Sequence, residues 1–181
     1  MLFSSYNSKY VDGLQFVPVT FPYNVPDALL IENLHVQQLI EYCNNKQIKK
    51  AFVQGFSDYS FLRACKCLEH IAIDLRLPFD AHAAQKSSTI LYDLRCMQAL
   101  PNLRSIDIRV NERPGYRAKV QLDLSATETL EQFCGAYQLV NGIENSVHLK
   151  TLRVRGVRAQ NLDIFKKLIS LDTAYISFSS I

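Results

Sequence analysis

Cysteine and histidine are the residue types in this chain best suited to chemistry, and their spacing decides how far that suitability goes. The cysteines are Cys43, Cys65, Cys67, Cys96 and Cys134; the histidines are His35, His70, His82 and His148. A thiolate beside an imidazole is a nucleophilic centre, and Cys67 with His70 is the pair closest in sequence. That pair would straddle a helix-to-strand bend, with His70 directed to the face opposite Ile71. Cys65-Lys66-Cys67 could form a redox or metal pair. Zinc sites use two Cys-x-x-Cys pairs or Cys/His at matching spacing, and neither occurs. Cys134-Gly135 has no identifiable partner and reads as core or a helix end. The odd cysteine count fits reduced thiols used as small hydrophobes. There is no phosphate loop, dinucleotide fingerprint or HExxH, and no G-x-S-x-G. The expectation is a protein that is not an enzyme and has no cofactor and no metal; a Cys67–His70 thiol centre is the alternative.

Such residues act only where a fold positions them, and 181 residues suffice for one domain with its own core. At 48% hydrophobic and 20% charged residues, the composition is that of a globular chain. No apolar run is long enough to span a bilayer, and Met1–Tyr10 lacks the features of a secretory leader, so no membrane association and a cytoplasmic location are expected. The net charge of +3 lies in the C-terminal half, around Arg104–Lys119 and Lys150–Arg158. Nucleic-acid binders carry a heavier bias.

The organising feature is a recurring apolar frame. The segments IKKAFV, LEHIAI, LRSIDI, LKTLRV and LDTAYI each read apolar-x-x-apolar-x-apolar. The anchors are Ile48, Ala51, Val53; Leu68, Ile71, Ile73; Leu103, Ile106, Ile108; Leu149, Leu152, Val154; and Leu171, Ala174, Ile176. The last two of each set are two apart, so they share one face of a short strand. Upstream the period becomes three: Tyr59, Leu62, Cys65; Leu94, Met97, Leu100; Val140, Ile143, Ser146; and Leu162, Phe165, Leu168. Leu39, Tyr42 and Asn45 match less well. A spacing of three suits a helical or 3₁₀ segment burying one side. A unit of this kind buries its apolar face only by stacking on neighbours. An ordinary alternation of helices and strands is the competing reading.

Leu149-Lys-Thr-Leu152-Arg-Val154 and Leu103-Arg-Ser-Ile106-Asp-Ile108 resemble the L-x-x-L-x-L of the leucine-rich-repeat family. Leu91–Val110 is similar to its irregular bacterial members, and the resemblance runs from about Leu39 onward. It departs at the family's Asn, present only at Asn111; Phe56, Arg76, Val157 and Ser179 stand at the equivalent positions. Repeat spacing is uneven, and KVQLDLS, with Leu122 and Leu124, reads as a degenerate strand of the same sheet. The expected fold class is α/β: a leucine-rich-repeat-like solenoid with a parallel sheet on its concave face and helices on its convex face. Residues 1–34 are expected to form an N-terminal cap and residues 35–181 the repeats.

In the cap, Asp12-Gly13 before LQFVPVTF predicts a turn and an edge strand, since Pro18 is tolerated at an edge; Pro22 and Pro26 mark an irregular crossing. Asn33 is placed to cap a helix LHVQQLIEYC with stripe Leu34, Leu39, Ile40 and Cys43. Loops are expected at Pro78–Thr89 and Asn111–Tyr116, the second around Arg113-Pro114-Gly115.

Residues alternating with the anchors face outward on the concave sheet. These are Lys50, Phe52, Gln54; His70, Ala72, Asp74; Ser105, Asp107, Arg109; Gln121, Asp123; Thr151, Arg153, Arg155; and Thr173, Tyr175, Ser177. The candidate binding residues are Lys50, Phe52, His70, Asp74, Asp107, Arg109, Asp123, Arg153, Arg155 and Tyr175. Aromatics and arginine are enriched in binding hot spots, and opposite charges side by side favour a specific protein over a polyanion. The plainer alternative is a solvated sheet with pairs such as Asp107–Arg153 or Asp123–Arg153. The resemblance implies protein binding through the concave sheet, for instance as an immunity or inhibitor protein that occludes a toxin. The second function considered is nucleic-acid binding through the Arg-rich C-terminal half. Because AYISFSSI is not the polar cap a solenoid end requires, a second copy of the chain is expected to cover that end as a homodimer, unless the sequence belongs to a longer chain.

Overall fold

A computed structural model describes residues 9–11, 14–19, 25–31, 36–75, 88–110 and 116–178. The expectations at Asp12-Gly13, Pro22, Asn33, Leu34, His35, Arg76, His82, Asn111, Arg113-Pro114-Gly115 and Ser179 lie outside them. No described helix is long and apolar enough to cross a membrane.

The strands are β1 (Lys9–Val11), β2 (Leu14–Val19), β3 (Val25–Ile31), β4 (Lys50–Gln54), β5 (His70–Leu75), β6 (Ser88–Asp93), β7 (Ser105–Val110), β8 (Tyr116–Gln121), β9 (Gln132–Ala136), β10 (Thr151–Val157) and β11 (Thr173–Phe178). Nine of them form one sheet in the order β1-β2-β3-β4-β5-β7-β9-β10-β11. The first three are antiparallel, and every pair from β3 onward is parallel. Parallel neighbours joined by a segment crossing one side, coil after coil, make the chain a leucine-rich-repeat-like solenoid.

The period-three positions explain how each coil returns. The backbone N–H of Leu62 donates to the Tyr59 carbonyl, Cys65 to Leu62 and Leu68 to Cys65, at 3.0, 2.9 and 3.2 Å. Leu94, Met97 and Leu100 repeat the chain of bonds, as do Ile143, Ser146 and Leu149. A turn of three residues keeps the same side inward at every third position, so Tyr59, Leu62, Leu94, Met97 and Ile143 are all buried. The crossing segments are therefore mostly 3₁₀, where helices were expected, at Ser60–Ala64, Arg95–Ala99, Leu124–Ala126, Tyr137–Leu139, Ile143–Asn145 and Ala159–Lys167. The α-helix among the described residues is α1 (Val36–Asn45), which buries Leu39 and Cys43 and leaves Ile40 partly buried. It ends where Gln47 adopts a positive φ of 52° and Ile48 N–H reaches back to the Cys43 carbonyl at 2.8 Å, a left-handed helix stop.

Three expectations are corrected. Residues Lys119–Ser125 are not a strand of the main sheet: β8 pairs with β6 in a separate two-stranded parallel sheet, whose Tyr92 and Val120 join the same core. The main-sheet strand of this coil is β9, with anchors Leu130, Phe133 and Gly135 preceded by Leu124 and Thr127 at intervals of three. Glycine stands at the third anchor because a Cβ there would meet Cζ of Phe133 at 2.9 Å; the ring already occupies the volume. Second, β2 is not an edge, since it pairs with both β1 and β3. Pro18 is accommodated where the β2–β3 register shifts between Val17 and Val19, a break that spares the ladder an N–H. Third, Ser88 and Thr89, expected within the loop Pro78–Thr89, belong to β6; the rest of that expected loop lies outside the described residues.

Leu68, Leu103, Leu149 and Leu152 are fully buried. Each such leucine contributes about 1.5–3 kcal/mol of burial, so the stacked anchors dominate stability; on the opposite sheet face Gln54, Ala72, Ser105, Asp107, Cys134 and Ala136 are also buried.

Candidate protein-binding face

Parallel in-register pairing converts alternation along each strand into rows across the sheet. The first row is Lys50, His70, Ser105, Gln132, Thr151 and Thr173. The second is Phe52, Ala72, Asp107, Cys134, Arg153 and Tyr175. In the third, Gln54, Asp74 and Arg109 are neighbours on one side, and Ala136, Arg155 and Ser177 on the other. Of the ten expected binding residues, nine thus stand on this face: Lys50, Phe52, His70, Asp74, Asp107, Arg109, Arg153, Arg155 and Tyr175.

Asp123 does not. It lies before the 3₁₀ turn Leu124–Ala126, where its carboxylate accepts from the Ser125 N–H at 2.9 Å and the Ser125 hydroxyl at 2.6 Å. Its backbone bridges to Asn141. An aspartate two residues ahead of a free N–H is a natural turn cap, and that local bond draws it out of the row. Gln121 ends β8 and is off the face for the same topological reason.

The charge pairs also differ from expectation. Because β9 separates β7 from β10, Asp107 neighbours Cys134 and not Arg153. The Asp107 carboxylate accepts from Nε of Arg109, on the same strand, at 2.8 Å. Asp107 is only 4% exposed, and burial pushes its carboxyl above the usual range against the pull of Arg109. The Cys134 thiol, buried beside it and hydrogen-bonded to it, is pushed up to about 12, mainly by burial and then by the Asp107 charge. Arg109 also lies over the Phe52 ring, 5.9 Å from its centroid. Arg153 lies over Tyr175 at 4.4 Å, and Arg155 donates to the Val110 carbonyl at 3.3 Å. The face therefore has a buried polar centre, Asp107–Cys134–Arg109, between two arginine–aromatic pairs.

Reasoning from the sequence missed Gln132, Cys134 and Ala136, because Phe133 and Gly135 disguised the frame. It also missed a charge ladder at the strand entries: Lys49, Glu69, Arg104, Glu131, Lys150 and Asp172. Each of these residues directly follows the first anchor of its coil, and the sign alternates throughout. Lys49 pairs with Glu69 at 2.9 Å, and Glu131 pairs with both Arg104 and Lys150 at 3.4 Å.

Burial lowers the affinity of His70 for a proton, and the charged groups that influence it are Lys50, Glu69, Arg104 and Glu131. Cys65 hydrogen-bonds Cys43, which holds the Cys43 thiol protonated. Among the described residues no cluster of three or more His, Cys, Asp or Glu could hold a metal ion.

The coil pattern and the mostly parallel sheet fit a leucine-rich-repeat-like solenoid. No family model matches the chain, and no curated protein does. Among solved structures it is similar to an internalin from Listeria monocytogenes, with 11% sequence identity and a TM-score of 0.32 over 79% of this chain and 53% of that one. The chain thus spans about half the length of that internalin.

Proposed function

We propose that the protein is a binding module that engages another protein through the open sheet face, with residues 1–34 capping the solenoid. The observation that carries this reading is the Arg153–Tyr175 stack: Tyr175 is 54% exposed, yet its ring is held in place by the guanidinium. A rigid aromatic beside an arginine presents large contact area at low entropic cost, the composition of interface hot spots. Asp107 and Arg109 supply a neighbouring polar centre whose charges already satisfy each other, so a partner need not desolvate an unpaired ion there. One concrete form is an inhibitor or immunity protein that occludes a toxin.

The test is capture from source lysate by wild type beside an Arg153→Glu/Arg155→Glu variant, with nuclease-treated controls. A protein retained by wild type and lost by the folded variant supports the reading. Capture that vanishes with nuclease transfers the face to nucleic acid, and equal capture by both removes the face from the function.

A further inference from the structure

Three of the five cysteines meet where helix α1 packs on the 3₁₀ segment Ser60–Ala64. Cys43 lies in the last turn of α1, and Cys65 directly follows the 3₁₀ segment. Both side chains are 1% exposed and belong to the core. The two elements are tied beside them, where the Asn44 side-chain amide donates to the Ala64 carbonyl at 3.0 Å. Next to that tie the Cys43 and Cys65 thiols hydrogen-bond each other. Cys67, two residues further on, is partly exposed and close enough for its charge to act on Cys43.

The buried pair differs from the other thiols of the core. Cys96 donates to the Tyr59 carbonyl at 3.1 Å, and Cys134 hydrogen-bonds the Asp107 carboxylate; each has an oxygen partner. The contact of Cys43 with Cys65 is sulfur to sulfur. Leucine fills the position equivalent to Cys65 in later coils, at Leu100 and Leu168, both buried. Packing at that position therefore does not call for sulfur.

We propose that Cys43 and Cys65 form a reversible disulfide that staples α1 to the 3₁₀ segment Ser60–Ala64, with Cys67 as the thiol through which a small-molecule disulfide oxidises the pair. The Cys67 thiolate attacks one sulfur of the small disulfide and expels the other half as a thiolate. Cys65 then attacks the Cys67 sulfur and expels the second half. Cys43 attacks the Cys65 sulfur and returns Cys67 as a thiolate. Across these steps the Cys43 and Cys65 thiols give up two electrons and two protons, and the small disulfide leaves as two thiols. Cys65 is the member of the pair that exchanges with Cys67, because the hydrogen bond from Cys43 favours its thiolate. The bridge closes the chain around β4 and restricts the unfolded state. It lies on the crossing side of the sheet, so its test is independent of the Arg153/Arg155 variant.

The folded chain is incubated with oxidised glutathione, quenched in acid, alkylated under denaturing conditions and cut with trypsin. Cleavage after Lys66 separates Cys65 from Cys67, so each reports on its own. The expected product is two hydrogens lighter, with the Cys43 and Cys65 peptides joined and Cys67 alkylated. Its thermal midpoint should be raised and its amide exchange across Val36–Asn45 slowed, both reversed by dithiothreitol. Cys67→Ser should form the same bridge about tenfold more slowly. Recovery of Cys43 and Cys65 as alkylated thiols, with glutathione on Cys67 alone, overturns the proposal. So does a product bridged between Cys65 and Cys67, or a bridge that forms equally fast in Cys67→Ser.

Discussion

The guanidinium of Arg153 lies 4.4 Å from the centroid of the Tyr175 ring, across the β10–β11 pairing and in the same row of the open face. A cation over an aromatic at an exposed site contributes about 0.5–1 kcal/mol. Tyr175→Ala is expected to cost about that much in urea denaturation. In a binding assay with the captured partner it should cost more, because it removes an anchor as well as a stack. Equal, small losses in both would mark the pair as structural.

Gly135→Ala is expected to destabilise the protein by about 1–3 kcal/mol, since the added methyl meets the Phe133 ring in a packed core. Phe133→Leu in the same chain should recover part of the loss, because it restores an aliphatic frame like that of the other coils. A double-mutant cycle by denaturant unfolding reads the coupling; additive losses would show that the ring and the glycine are independent.

Glu131 stands between Arg104 and Lys150, 3.4 Å from each. Glu131→Gln should cost little, since exposed pairs are worth about 0–1 kcal/mol each. Glu131→Lys places three cations on consecutive rungs and should cost more, through like-charge opposition. The excess over Glu131→Gln should shrink in about 1 M salt, where the Debye length is roughly 3 Å. A deficit that ignores salt would point to packing instead.

Asp107 has its carboxyl raised above the ordinary 3.8 by burial. A carboxyl raised on folding makes the folded state bind the proton more tightly than the unfolded one. Its contribution to stability is therefore greatest below the ordinary value and is lost as pH rises from there to the raised folded value. Asp107→Asn should flatten that falling limb and leave stability at neutral pH unchanged or improved. Urea titrations from about pH 4 upward measure it; a steeper decline in the variant would contradict the assignment.

Much of the fold was legible because apolar spacing is a local property. The period of two at Ile71 and Ile73 and the period of three at Tyr59, Leu62 and Cys65 each follow from how a backbone turns, so the coils could be read before their neighbours were known. Lys50, Phe52, His70 and Arg153 reached the open face for the same reason. Phe133-Cys134-Gly135 was hidden because its pattern is completed by a ring folding over a glycine, which no count of apolar letters reveals. Asp123 was misplaced because a two-residue turn bond outweighed its strand-like alternation. The sequence by itself determined the repeating unit and the inward side of each coil, since both are written within a few residues. Only the tertiary structure decided which strand lies beside which. The insertion of β9 between β7 and β10 separates Asp107 from Arg153, gives Asp107 to Arg109, and leaves Arg153 to Tyr175. Neighbour order in a stacked sheet is set by long-range packing, which no local spacing encodes.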